Sequence, residues 1–220
     1  MMKRQFKGIL LVGLVIGAMS LSGCLFNIFQ TARTIGAGNV GMTVGSGLFN
    51  LGGPNGGGWI LSPQARLAVG VADGVDFGLQ SGFLINLQGS EPGWLGAVGD
   101  FKVSIFHDPE SFSLSMGVGA GYSMEMLGWG ALAEVFFDSN VPFFPVFVAY
   151  QPNVAFTDDV TVFHHATGGL KLRLSPNARI LLQVDYRPGF ADVFPVVSYG
   201  LGIEILLGRG GPEPEQGASF

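Results

Sequence analysis

Charged side chains are scarce in this chain of 220 residues. Asp, Glu, Lys and Arg make up 12% of it, about half the roughly 25% usual in soluble proteins. The 11 basic residues form no basic run, which argues against nucleic acid as a partner. After residue 24, no stretch offers about 18 consecutive apolar residues free of charge, Gly and Pro, so no spanning helix is predicted there. The apolar residues, 48% of the chain, must therefore be spread over many short segments.

Cysteine occurs once, at position 24, so the chain has no intramolecular disulfide. The region before it combines basic residues at 3, 4 and 7 with an apolar run over 8–19. A basic start, a short apolar run and a small residue at the exit are typical of a secretory signal, because the run is too short to span a bilayer permanently. The sequence therefore predicts an exported protein.

The exit of that signal, Leu21-Ser22-Gly23-Cys24, resembles the lipobox of a bacterial lipoprotein. The resemblance implies that residues 1–23 are removed and that Cys24 is acylated and becomes the new N-terminus. In such lipoproteins a second residue other than Asp, here Leu25, implies transfer to the outer membrane. The alternative is ordinary cleavage between Ala18 and Gly23, which would leave Cys24 as a free thiol.

Apolar residues alternate with small or polar ones through most of the remaining chain. A period of two indicates strands, because successive side chains point to opposite faces of a sheet. Glycine, the commonest residue at 36, is spread through these segments and forms no linker-like cluster. The pattern predicts ten strands, at residues 39–49, 59–72, 75–87, 94–106, 112–123, 129–138, 143–151, 160–174, 179–187 and 195–207.

The connections between these segments alternate between tight turns and mostly longer loops. The tight ones carry turn residues: Asp73-Gly74, His107-Asp108-Pro109, Ser139-Asn140 before Pro142, and Ser175-Pro176-Asn177. This alternation and an even strand number are typical of transmembrane β-barrels of the bacterial outer membrane. We predict a single all-β domain, an antiparallel up-and-down transmembrane β-barrel over 39–207, with eight or twelve strands as alternatives to ten. Residues 24–38 are predicted as a connector anchored by lipid on the periplasmic side, and 208–220 as a flexible tail.

Each predicted strand has one apolar face and one small or polar face. In the last strand, Val197, Tyr199, Leu201, Ile203, Ile205 and Leu207 alternate with Ser198, Gly200, Gly202 and Glu204. The apolar face is predicted to meet the lipid bilayer and the other to line the lumen. This strand also resembles the assembly signal of outer-membrane barrels, which implies the insertion machinery as a partner. A soluble, lipocalin-like lipoprotein that binds an apolar ligand inside is the alternative.

Aromatic residues with a polar handle gather at the predicted long-loop end. Three Trp begin even-numbered strands and three Tyr end odd-numbered ones: Trp59, Trp94, Trp129, Tyr122, Tyr150 and Tyr186. Such rings favour a bilayer interface, so they are predicted to form a girdle. Four Phe would form the opposite belt: Phe106, Phe112, Phe137 and Phe143.

The predicted lumen is lined by balanced charge. Its ten charged residues are five acids and five bases: Arg66, Asp76, Asp100, Lys102, Glu134, Lys171, Arg173, Asp185, Arg187 and Glu204. They must pair or contact water, because unpaired burial costs several kcal/mol. They form either a structural network or the wall of a narrow aqueous path. The leading hypothesis is thus a channel or passive transporter for small solutes, and a closed structural or partner-binding barrel is the second.

Catalytic and metal motifs are missing from the sequence. His164 and His165 are adjacent and so point to opposite faces of a strand, where they cannot ligate one metal together. No nucleophile elbow, phosphate loop or metal-spaced cluster accompanies them. We predict no enzymatic activity, no metal and no cofactor. A membrane-embedded hydrolase or acyltransferase that uses His165 is the alternative.

Overall fold

The computed structural model describes residues 29–50, 58–89, 91–108, 111–123, 128–139, 141, 144–156, 160–188 and 196–208. Ten strands lie within these ranges: β1 (Val40–Asn50), β2 (Trp59–Ala72), β3 (Val75–Asn86), β4 (Gly93–His107), β5 (Phe112–Ser123), β6 (Gly128–Ser139), β7 (Val146–Phe156), β8 (Val160–Ser175), β9 (Ala178–Arg187) and β10 (Val196–Leu207). Within the described ranges, no helix is long and apolar enough to cross a membrane.

The ten strands close into one antiparallel barrel. Each strand pairs with its neighbours in sequence, and β1 completes the ring by pairing with β10, with Val40 opposite Leu207 and Leu48 opposite Tyr199. Closure leaves the sheet without an edge strand, which removes the template for pairing with other chains. The predicted fold class, a single ten-stranded antiparallel barrel, is confirmed.

Strand β7 is the element whose predicted bounds were wrong. The sequence predicted it at 143–151 and treated Pro152 as the start of a loop, whereas the strand is Val146–Phe156. It begins after Pro145, and Pro152 lies inside it with its pairing to β8 intact. A proline removes one ladder hydrogen bond but does not end a strand that is held on its other side.

Side chains alternate between the outside and the lumen along the strands. In β5 the even-numbered residues from Phe112 to Tyr122 point outward, and the odd-numbered ones from Ser113 to Ser123 point into the lumen. Outward positions of the described strands hold no Asp, Glu, Lys or Arg, and His164 is the one histidine among them. The outer wall is therefore mostly apolar and uncharged, whereas the inner wall carries the charged side chains beside buried apolar ones.

The connections define two ends of the barrel. Residues 73–74, 108–111, 140–145 and 176–177 connect strands at the end where β1 begins and β10 ends, which we call the short-turn rim. Residues 51–58, 87–92, 124–127, 157–159 and 188–195 connect them at the other end, the long-loop rim. The β7–β8 connection is only three residues long, because β7 extends further than its sequence indicated.

Candidate functional site: the barrel lumen

The charged residues predicted to line the lumen lie at three levels of burial. Seven are buried: Arg66, Asp76, Asp100, Lys102, Glu134, Lys171 and Asp185. Arg187 and Glu204 are half-buried, whereas Arg173 is exposed near the short-turn rim. The lumen thus carries a charge density that the outer wall lacks.

These charges pair across strands. The guanidinium of Arg66 on β2 donates from Nε and Nη2 to the two carboxylate oxygens of Asp100 on β4, at 3.0 and 2.5 Å. Three further pairs join Lys102 to Asp76 at 3.6 Å, Lys171 to Asp138 at 2.8 Å and Arg179 to Glu204 at 3.8 Å. A bidentate pair such as that of Arg66 fixes geometry as well as charge. Sequence reasoning missed Asp138 and Arg179, although each shares the inward parity of its strand.

The lumen contains a part of the chain that the sequence placed elsewhere. Residues 29–38 are here called the N-terminal segment. Phe29 to Ile35 contact the inner wall, Phe29 to Ala32 are each at most 4% exposed, and Ala37 and Gly38 are exposed at the short-turn rim. The segment was predicted only as part of a connector. Its sequence has no period of two or of 3.6, and its partners lie on strands far away in sequence, so no local pattern could have placed it.

Charged wall residues bind this segment through its backbone. Asp76 accepts from the Ile35 amide at 3.0 Å, Asp138 accepts from the Ala32 amide at 3.0 Å, and Lys102 donates to the carbonyls of Thr31 and Arg33 at 3.1 and 2.9 Å. One side-chain contact, from Gln30 to Glu134, is longer at 3.5 Å. Charged residues of the lumen therefore hydrogen-bond to the backbone of the chain's own N-terminal segment.

Glycines of the wall make the seat for Phe29. A Cβ placed on Gly45 of β1 or on Gly202 of β10 would lie 2.7 Å from the Phe29 ring. The two glycines face each other across the β1–β10 pair, at the middle of β1. Phe147 and Leu181 complete the apolar contact. The ring thus fills a site that only glycines leave open.

An apolar cluster crosses the lumen nearer the long-loop rim. Val98, Leu132, Ala155 and Phe163, from four different strands, are buried against one another. The guanidinium of Arg187 lies over the Phe163 ring, 5.3 Å from its centroid. We call these four residues the apolar cluster. It and the N-terminal segment occupy different levels of the same passage.

Asp185 accepts several hydrogen bonds from neighbouring inward side chains. Its carboxylate accepts from the Thr167 hydroxyl at 2.5 Å and from the Ser198 hydroxyl at 3.3 Å, and the amide nitrogen of Gln183 donates to its two oxygens at 3.0 and 2.9 Å. His165 Nε2 lies 3.2 Å from the same carboxylate. Both hydroxyls thus donate to the acid. A nucleophile activated by histidine needs its hydroxyl to donate to the imidazole instead.

Aromatic residues cluster at both rims. Tyr122 stacks on Trp94 with centroids 5.9 Å apart and meets the edge of Trp129 at 6.0 Å. At the short-turn rim, Phe112 lies between Phe106 and Phe137, at 4.7 and 5.5 Å. Trp59 and Tyr186 lie at the long-loop ends of β2 and β9. The predicted Phe143 falls outside the described residues.

Tyr150 does not lie at the long-loop rim where it was predicted. It is near the middle of β7, because that strand continues to Phe156. There its hydroxyl meets His164 Nδ1 at 2.7 Å on the outer wall, and the two rings stack at 5.9 Å. The pair satisfies two polar groups of a mostly apolar surface.

The lipidation site and the absence of a metal both stay predictions. Cys24, the predicted lipidation site, falls outside the described residues, as do the signal region and most of the tail. Among the residues that the structure covers, no group of three or more His, Cys, Asp or Glu could hold a metal ion.

Comparison with known proteins returns structural likeness alone. No protein-family model matches the chain, and no curated protein does. The N-terminal β-barrel domain of Pseudomonas aeruginosa OprF is 13% identical, with a TM-score of 0.37 over 78% of this chain and 99% of that one. Neisserial surface protein A (NspA) is 9% identical, with a TM-score of 0.38 over 76% of this chain and 96% of that one. With TM-scores below 0.5, these likenesses carry no weight for function.

Proposed function

We propose that the protein is an integral outer-membrane barrel, lipid-anchored at Cys24, whose lumen is closed at rest by its own N-terminal segment. The outer wall supports the location, since its strand positions carry large apolar side chains such as Leu67, Phe101 and Leu201. Strands of 10 to 16 residues suffice for the roughly 9–11 residues that a tilted transmembrane strand needs. The aromatic clusters at both rims fit the two bilayer interfaces.

The main support for a closed lumen is that Phe29 to Ile35 lie inside the barrel. Phe29 fills its glycine seat at mid-barrel, and the following residues bond to Lys102, Asp76 and Asp138 on the way to the short-turn rim. The apolar cluster adds a second obstruction, and apolar constrictions exclude water and ions. A closed barrel that serves as a membrane anchor or binds partners is the function that this geometry supports best.

A narrow channel for small solutes is the second candidate. It is favoured by polar residues of the inner wall, since Gln64, Gln80 and Gln151 point inward. Such a channel would require both obstructions to move. The soluble alternative finds no support, because the apolar face is outside and a lipocalin-like ligand site would need it inside.

The test uses the Cys24→Ser protein, which retains the barrel and lacks the acylation site. We expect it to stay in the outer membrane after carbonate extraction and to migrate differently on gels before and after boiling. Reconstituted in a planar bilayer, the folded protein should show no steady conductance. Release into the soluble fraction would reject membrane integration, and stable conductance steps from unaltered protein would reject closure in favour of the channel.

A further inference from the structure

The N-terminal segment contacts the barrel as a bound peptide would. From Phe29 to Gly36 it pairs with no strand, and its first ladder-type bonds to the wall appear where Gly38 donates to the carbonyl of Gly70. Inside the lumen, the bonds of 3.1 Å or less join wall carboxylates and an ammonium to its amides and carbonyls. Backbone groups are common to all peptides, so these contacts do not depend on a particular sequence.

Sequence preference resides in two positions of the segment. Phe29 enters the seat formed by Gly45 and Gly202, where any side chain on the wall would collide with the ring. Ala32, three residues later, packs against Phe136 and Ala149 and is 1% exposed. The site therefore selects an aromatic residue followed at the third position by a small one, in the manner of a peptide groove with separate side-chain pockets.

The segment is connected to β1 by a turn over 36–39, in which the Asn39 amide donates to the carbonyl of Gly36. Gly36 and Gly38 both have positive φ, 77° and 73°. The carbonyl of Gly36 lies so close to Gly70 that a Cβ there would overlap it. Because the segment shares no ladder with the wall before this point, it can leave through the short-turn rim without breaking any pair of strands. Glycines at such positions tolerate the change of backbone direction.

We propose that the short-turn half of the lumen is a peptide-binding site, occupied in cis by Phe29 to Ile35 and open to exchange with a segment of another polypeptide that carries an aromatic residue and a small residue three positions on. The site would receive such a segment from the short-turn rim. This goes beyond the proposed closed barrel and rests on it only in that both require the N-terminal segment to be seated at rest.

A competition experiment on the full chain tests exchange. The protein carries Cys24→Ser and Ala32→Cys, so that its only thiol lies in the seated segment, and a bulky maleimide reports when the segment leaves. A synthetic peptide of residues 29–38 should raise the labelling rate at least about tenfold, the order expected when the burial of one Phe side chain is at stake. The same peptide with Ala in place of its Phe is the control and should leave the rate unchanged.

Two further variants keep the result decisive. Thr34→Cys is half-buried and gives a second probe that leaves the Ala32 contact intact. Phe29→Ala in cis should raise labelling without peptide, whereas Phe77→Ala on the outer wall should not. Folding is checked by the gel shift on boiling. If labelling responds to Phe29→Ala but never to the peptide, the segment opens without exchanging and the peptide site is rejected.

The conductance measurement separates this proposal from the proposed function. Steady current through Ala32→Cys protein whose thiol remains unlabelled would show that the lumen conducts while the N-terminal segment is in place. That result would reject the closed lumen, and the peptide site would still be decided by the labelling experiment. Labelling that is fast without peptide, in folded protein that retains Phe29, would overturn the peptide site, because it would mean that the lumen does not hold the segment.

Discussion

At the scale of single residues, the position of a side chain relative to the barrel wall decides what a substitution does. Adjacent residues of one strand face opposite environments, so the period of two in the sequence translates directly into outside and inside. Leu201 is 56% exposed on the outer wall, whereas Gly202 faces Phe29 in the lumen. The sequence separated these two faces, because alternation is a local signal. It did not reveal that the inward Gly202 leaves room for the ring of Phe29.

The neighbours Leu201 and Gly202 offer a matched pair of substitutions. We expect Leu201→Arg to lower the free energy of unfolding by about 2–4 kcal/mol, because in the proposed membrane barrel it places a charge against the hydrocarbon core near the midplane. Gly202→Ser should cost less, because the N-terminal segment belongs to no strand pair and can withdraw Phe29 from the added atoms. Urea unfolding of both variants in lipid vesicles measures the difference. Equal losses would mean that the assignment of outside and inside is wrong.

At the scale of elements, two outward prolines coincide with interruptions in the pairing of the strands. Pairing between β6 and β7 is recorded at Leu132–Asn153 and next at Val135–Tyr150, which leaves the two intervening pairs open beside Pro152. Pairing between β2 and β3 shows the same gap beside Pro63. In both places the register is equal before and after the gap, so the wall is interrupted but not shifted. The sequence analysis interpreted Pro152 as the end of a strand. A proline lacks the backbone N–H both after a strand and within one, so the sequence alone does not distinguish the two positions.

The interrupted pairings predict a pattern of amide exchange. Amides of β6 near Ala133 and of β3 near Phe83 should exchange faster than those of the fully paired β5–β6 ladder, whose register runs without a break from Phe112 to Ser123. Local opening needs fewer hydrogen bonds to break at a gap. Hydrogen exchange by NMR in lipid nanodiscs measures this. Uniform protection along β6 would show that the wall is continuous at Pro152.

At the scale of the whole molecule, the sequence predicted the strands that form the barrel but not the N-terminal segment inside it. Nine strands, the closure and the polar lumen follow from alternation and turn chemistry, which act over a few residues. The N-terminal segment is held by contacts between residues far apart in the chain, such as Ala32 with Asp138, a separation of 106 positions. Its place could be predicted only after the barrel was known, from the inward glycines that leave room for it.

Two obstructions in one passage should act in series. The N-terminal segment occupies the short-turn half, and the apolar cluster of Val98, Leu132, Ala155 and Phe163 lies nearer the long-loop rim. Removing one leaves the other in place, so neither Phe29→Ala nor Phe163→Ala alone should produce steady conductance in a planar bilayer. The double variant should conduct, since the charged and polar inner wall then lines a continuous path.

In such a series arrangement the effects of the two substitutions on conductance are strongly non-additive. General loosening of the barrel would not produce this non-additivity. Phe29→Ala combined with Phe77→Ala on the outer wall is the matched control, because it removes the same number of aromatic rings and should remain silent. Each protein is first shown to be folded by its gel shift. Conductance from a single variant equal to that of the double variant would mean that one obstruction alone closes the lumen, and silence of the folded double variant would mean that the passage is blocked elsewhere.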